Sequence, residues 1–147
     1  MNSADAPQAA DATQAAPEAP PPTVWPTFRC RDARGLIAFL TSTFGFVENV
    51  VHGEGEIVEH AQLDWPEGGG IMLGSDREGT AWSRQPGTGA SYVVTADPDA
   101  VHDRAVAAGA EIVQGPIERD YGSREFIARD PEGNLWSFGT YQGAPRR

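Results

Sequence analysis

Along this chain the spacing of apolar residues changes from strand-like to helical and back, twice, in the same order. Thr23 to Arg31 reads as an extended run, and Pro26 confines it to a strand start or edge. Asp32, a favoured N-cap, precedes Leu36, Ile37, Phe39, Leu40 and Phe44, which recur at the spacing of one helix face. Gly45 can close that helix in the left-handed conformation. Phe46 to Val51, Glu56 to Trp65 and Gly70 to Gly74 then read as strands separated by glycine-bearing turns. After a polar link, 75–89, the order returns. Ser91 to Thr95 is a β-branched strand, Asp97 caps a helix with Pro98 at its first position, and Val101, Ala105 and Ala108 form its apolar stripe. Gly109 ends the helix, and Glu111 to Gln114, Glu125 to Arg129 and Asn134 to Tyr141 supply three more strands.

The predicted order is therefore β-α-β-β-β, repeated. A local motif repeats with it: Asp64-Trp65-Pro66-Glu67-Gly68 leads into Gly70-Ile71-Met72-Leu73-Gly74, and Arg129-Asp130-Pro131-Glu132-Gly133 leads into Leu135-Trp136-Ser137-Phe138-Gly139. In both copies the turn glycine lies six residues before the strand glycine. Each helix has an apolar face that needs a sheet, and a small sheet offers one face to a helix and leaves the other to line a cavity. The fold class expected is α+β: two paired βαβββ modules, 23–74 and 90–142, forming cupped mixed sheets around a cleft.

Composition narrows the partners. The 147-residue chain has room for one ordinary domain or two small modules sharing a core. Its formal charge of −10 would repel phosphate backbones and anionic membrane surfaces, so no nucleic acid and no membrane partner is expected. Residues 1–22 are dominated by Ala and Pro and carry Asp5, Asp11 and Glu18 where a targeting sequence needs basic residues. They read as a disordered tail ahead of a single domain, 23–147, of a cytoplasmic protein. The single cysteine, Cys30, can form neither an internal disulfide nor a Cys-based metal motif and is expected to be buried in the first strand.

The strand-Asp-helix opening from Phe28 to Phe46, with its Phe44-Gly45-Phe46 end, and the closing Arg129-Asp130-Pro131-Glu132-Gly133-Asn134-Leu135-Trp136 resemble the glyoxalase, bleomycin-resistance and extradiol-dioxygenase superfamily, known as the vicinal oxygen chelate fold. The likeness covers roughly residues 24 to 142. It implies a homodimer, since such proteins commonly build each cleft from halves of two chains. It also implies four metal ligands, usually His and Glu, on the first and last strands of each module. The matching positions here are Trp25, Met72, Ser91 and Ser137. An indole, a thioether and two neutral hydroxyls make no credible set for a hard Lewis-acid ion, and shifting the register by one residue does not restore one. No metal or other cofactor is therefore expected.

Strand alternation sketches the cleft. With Trp25 inward, Thr27 and Arg29 follow. Ser91, Val93 and Thr95 are placed inward in the second module, with Met72, Gly74, Ser137 and Gly139 on the closing strands. An aromatic plate, a flexible thioether, several hydroxyls and one guanidinium suit a planar organic ligand. Arg29 either holds a ligand carboxylate or phosphate or pairs with one of the chain's own acids. Trp65, Trp82 and Tyr121 are expected at the rim or at an interface, Arg124 and Glu125 in a surface ion pair, and His102 exposed. His52, Glu54, Glu56, Glu59 and His60 form the one local imidazole and acid cluster, read as a solvated hairpin with His52 in its turn. The expected function is binding of a small aromatic or peptide-like organic compound, sequestering a toxic compound or antibiotic. The alternative is a lyase, isomerase or dioxygenase of the same superfamily with unorthodox metal ligands or none.

Overall fold

The structure, a computed structural model, describes residues 20–147, so the expected tail falls, as far as residue 19, outside the described residues. The first module comprises β1 (Thr27–Cys30), α1 (Ala33–Phe39), a wide π-type turn (Leu40–Phe44), β2 (Val47–Glu54), β3 (Ile57–Asp64) and β4 (Gly70–Ser75). The second comprises β5 (Ala90–Val94), α2 (Pro98–Ala107), β6 (Glu111–Glu118), β7 (Arg124–Arg129) and β8 (Leu135–Gly139). The order β-α-β-β-β thus occurs twice, as the apolar periods predict. Each module forms a four-stranded sheet, ordered β1-β4-β3-β2 and β5-β8-β7-β6, in which the helix crossover makes the first and last strands parallel neighbours.

The helix starts follow from their caps. The Asp32 carboxylate accepts from the Gly35 N–H and the Asp97 carboxylate from the Ala100 N–H, each satisfying a donor that the first turn leaves unpaired. The first helix does not run regularly to Gly45. Its last turn widens, so that the N–H groups of Gly45 and Phe46 both reach the Leu40 carbonyl at 3.2 Å, and Gly45 then exits with a φ of 96°. The widened turn delivers Phe44 and Phe46 into the centre of the molecule.

There the modules share one core. The Trp136 ring meets Phe28 at 5.2 Å, Phe46 at 5.5 Å and Phe44 at 6.1 Å, joining β8 to the first module. Trp65, expected at the rim or at an interface, is buried instead. Its indole N–H donates to the Val94 carbonyl and its ring packs on Phe46 and Phe138.

The repeated Pro-Glu-Gly turns contribute a second, polar link. Glu67 reaches from the first module to accept from the Thr95 hydroxyl at 2.7 Å and the Ala96 N–H at 2.8 Å. Glu132 reaches back from the second to accept from the Asp32 N–H at 2.9 Å and from Arg31 at 3.2 Å. Each glutamate thereby holds the strand-to-helix corner of the other module. Glu132 is buried and Glu67 exposed, so the two links should differ in strength. Glu132→Gln is expected to cost about 2 kcal/mol in urea unfolding and Glu67→Gln about 1 kcal/mol or less, because only the first puts an amide NH2 in a buried position facing donors. Equal losses would contradict this account of the clasp.

Candidate functional site

Strand register decides which side chains face away from the core. In the first sheet Thr27 pairs with Met72 and Arg29 with Gly74, while Gln62 pairs with Met72 from the other side. The intervening Phe28, Leu63 and Leu73 are buried, so Trp25, Thr27, Arg29, Met72, Gly74 and Gln62 share the outer, concave face. That matches the placement drawn from alternation.

The second module differs from it. Tyr92 pairs with Ser137, whereas Ser91 pairs with Trp136 and Val93 with Phe138, two core aromatics. Ser91, Val93 and Thr95 therefore point toward the core, and the concave face carries Tyr92 and Val94 with Ser137 and Ile127. The error is one residue of register. Tyr92 stands five residues before Asp97 as Thr27 stands five before Asp32, so the counterpart of Trp25 is Ala90 and not Ser91. Ser91 and Val93 instead border a cavity of about 480 Å³ at the junction of the modules, with Pro26, Trp65, Ile71 and Gln142.

That cavity shares Tyr92, Val94 and Gln142 with a second one of about 600 Å³, whose wall is completed by Tyr121, Tyr141 and Gly143. Tyr121 and Tyr141 meet edge to face with ring centres 5.4 Å apart. A third, shallower hollow of about 300 Å³ lies over Tyr92, Ile127, Leu135 and Ser137. The tyrosines are fixed from behind. The Tyr92 hydroxyl accepts from the Tyr141 N–H at 3.0 Å and meets the Ser123 hydroxyl at 3.2 Å.

Beneath them lies Glu125, expected in a surface pair with Arg124 but buried. Arg124 turns outward to Asp99 and Glu118. The Glu125 carboxylate accepts from the Tyr121 hydroxyl at 2.5 Å, from Arg119 at 3.0 Å and from Ser123 at 3.1 Å. Burial by itself would push its pKa up; the hydrogen bonds, led by those of Tyr121 and Arg119, outweigh burial and hold it below the usual carboxylate value. A carboxylate so occupied is a poor general base and a good anchor for a tyrosine wall. Sequence reasoning overlooked Tyr92, Tyr141 and this role of Glu125; the cluster Tyr121-Gly122-Ser123 beside Glu125 is the local signal that could have found them.

With the register corrected, the positions that match those of the implied ligands are Trp25, Met72, Ala90 and Ser137. An indole, a thioether, a methyl group and one hydroxyl do not fit the hard ion that Lewis-acid polarisation of adjacent oxygens requires. Among the described residues no three of His, Cys, Asp and Glu are grouped to hold a metal ion. His52 is not in a turn: β2 continues through it, and it pairs across the ladder with His60, their rings stacked at 6.3 Å. His102 is not freely exposed but packs edge-on against Phe126 at 5.3 Å. Cys30 is buried, and burial, with the charge of Glu132 next, pushes its thiol up to about 12, leaving it unreactive.

The depressed pKa of Glu125 fixes a sign. A carboxylate whose folded value lies below its unfolded value of 4.5 contributes full stability above 4.5 and loses it as pH falls through the folded value. Urea midpoints measured from pH 6 to pH 3 should therefore drop more steeply in the parent protein than in Glu125→Gln, which should begin about 2 kcal/mol less stable. Parallel curves would show that Glu125 does not titrate in the way its hydrogen bonds require.

The comparisons with known proteins agree with the geometry. The profile of the "Glyoxalase/Bleomycin resistance protein/Dioxygenase superfamily" matches residues 23–138. No curated protein matches the sequence. Among solved structures, TioX from Micromonospora sp. ML1 is 29% identical, with a TM-score of 0.61 over 79% of this chain and 94% of that one. TnmS3, an antibiotic binding protein from Streptomyces sp. CB03234, is 22% identical, with a TM-score of 0.59 over 76% and 88% of the two chains. A glyoxalase/bleomycin resistance protein from the same Streptomyces is 21% identical, with a TM-score of 0.60 over 76% and 94%. With its duplicated βαβββ modules and a family match that spans both, the chain belongs to the glyoxalase/bleomycin resistance protein/dioxygenase superfamily.

Proposed function

We propose that this protein binds a small aromatic or peptide-like organic compound on its concave faces without a metal ion, and that it sequesters a toxic compound or antibiotic in the cytoplasm. The observation that carries the reading is that the ligand positions hold Trp25, Met72, Ala90 and Ser137, while two adjoining cavities share Tyr92 and the second is also walled by Tyr121 and Tyr141. Volumes of 480 and 600 Å³ suit a drug-sized organic molecule. Tyrosine rings offer flat apolar area at low entropic cost, and their hydroxyls are already held in place. The likeness to TnmS3, whose name records antibiotic binding, supports the same reading, as does the exposure of the concave tyrosines in the single chain. The same exposure supports a homodimer: a second copy laid over each concave face would enclose the ligand, and it would cover Tyr92, Tyr121 and Tyr141.

The test is a fluorescence-quench titration of the protein's four tryptophans with a panel of aromatic and glycopeptide antibiotics, with and without EDTA. At least one compound should bind with micromolar or better affinity, unchanged by the chelator. Tyr92→Ala should weaken that binding about tenfold, in line with the loss of one stacked ring. Light scattering on a sizing column should give twice the chain mass. Binding that vanishes in EDTA and returns with a divalent ion would defeat the metal-free reading, and a panel without any binder would defeat the whole.

A further inference from the structure

Among the described residues, most arginines are already engaged. Arg31, Arg77, Arg119, Arg124 and Arg129 each face a carboxylate within 4.0 Å, and Arg34 and Arg104 hold backbone carbonyls. Arg29 does neither. Its one side-chain hydrogen bond is a long one, 3.4 Å, to the Thr27 hydroxyl, and its Nε is shut off from water with no acceptor. Arg29 is thus a half-buried arginine with neither a carboxylate nor a carbonyl on its guanidinium.

The surroundings of Arg29 explain what it lacks. Its guanidinium lies across Gly74, where an added Cβ would stand 2.9 Å from a terminal nitrogen, so the glycine is the seat of the side chain. The 75–89 link then folds over this end of the sheet and closes a cavity of about 240 Å³ lined by Arg29, Ser75, Arg77, Thr80 and Trp82, with Glu59 at its edge. Glu59 leans toward Arg77 at 3.9 Å, and Trp82 is 66% exposed, its indole unclaimed by the core. A cation without a partner, a second cation, a hydroxyl and an open indole are the components of a site for an aromatic acid.

We propose that this cavity is the acid-reading subsite of the binding face: the ligand carries a carboxylate on or next to an aromatic ring, Arg29 pairs with the carboxylate, and Trp82 stacks on the ring. The proposal rests on the reading of the concave face as a ligand site and adds the charge class of the ligand. A planar carboxylate matches the guanidinium fork, and its single charge is opposed less by Glu59 than the double charge of a phosphate would be.

Two probes of one shape separate the claims: 2-naphthoate and 2-naphthamide, titrated against full-length protein by tryptophan quenching and calorimetry. The parent protein should bind the acid at least about tenfold more tightly than the amide, the scale of one charge-assisted pair. The ratio should fall to about one in Arg29→Gln, remain above one in Arg29→Lys, and shrink in 0.5 M NaCl as the acid alone weakens. Matching melting temperatures would confirm that the variants fold, and the salt series reads the same charge in the parent protein alone. A parent ratio near one overturns the acid subsite while leaving the binding face standing, as does a ratio that survives Arg29→Gln. Failure to bind either probe overturns the acid subsite, whereas the reading of the binding face falls only with the antibiotic panel.

Discussion

The buried carboxylate of Asp130 is the constraint on which the rest of this molecule depends. One oxygen accepts from the N–H groups of Glu132, Gly133 and Asn134, and the other from the Asn134 amide and the Trp136 indole. A buried charge is tolerable only when its acceptor sites are filled, and here they are filled by the very turn it shapes. The consequences spread outward. The turn presents Glu132 to the first module's helix corner, Asn134 accepts from the Gly89 N–H at the end of the link, and Trp136 is fixed where it meets Phe28, Phe44 and Phe46. One side chain therefore sets both the polar and the aromatic joints between modules.

The repeat is not symmetric at this point, and the asymmetry is informative. Where the second module has Asp130 and Trp136, the first has Trp65 and Ile71. A tryptophan in the turn and an isoleucine in the strand occupy positions that in the other copy are held by a carboxylate and a tryptophan. Trp65 fills the space from its own side and spends its N–H on the Val94 carbonyl. Two large indoles thus reach the shared core from non-equivalent positions, which packs it without a clash across the pseudo-twofold.

Much of this was legible locally. Element order, both Asp caps, the helix-ending glycines and the burial of Cys30 depend on short-range periodicity and stereochemistry, which the chain states directly. The concave face of the first module was legible too, because Trp25, Thr27 and Arg29 alternate cleanly with Phe28 and Cys30. In the second module Ser91-Tyr92-Val93-Val94-Thr95 has no such contrast, since every residue suits either side of a sheet, and only the pairing with β8 decides. Glu125 was misread for a related reason. Its neighbour in sequence, Arg124, lies on the other face, and its partners Arg119 and Tyr121 come from the turn that leads into β7. The register of a ladder and the reach of a turn are tertiary facts.

The strand glycines connect these observations to chemistry. Gly70 lies under the Trp25 indole, Gly74 under the Arg29 guanidinium and Gly139 under the Tyr92 ring, at each of which a Cβ would collide. A chelating site of this fold needs side chains standing upright from neighbouring strands, with their donor atoms converging on one point about 2 Å away. A glycine floor has the opposite effect, since it lets long planar groups from the adjacent strand lie down along the sheet. The concave faces then present area, with polar atoms at their edges, in place of a focus of lone pairs. That geometry matches a flat organic molecule held by contact along its length. Because the glycine recurs at the same place in both modules, the preference belongs to the repeat itself and not to a single substitution in one half.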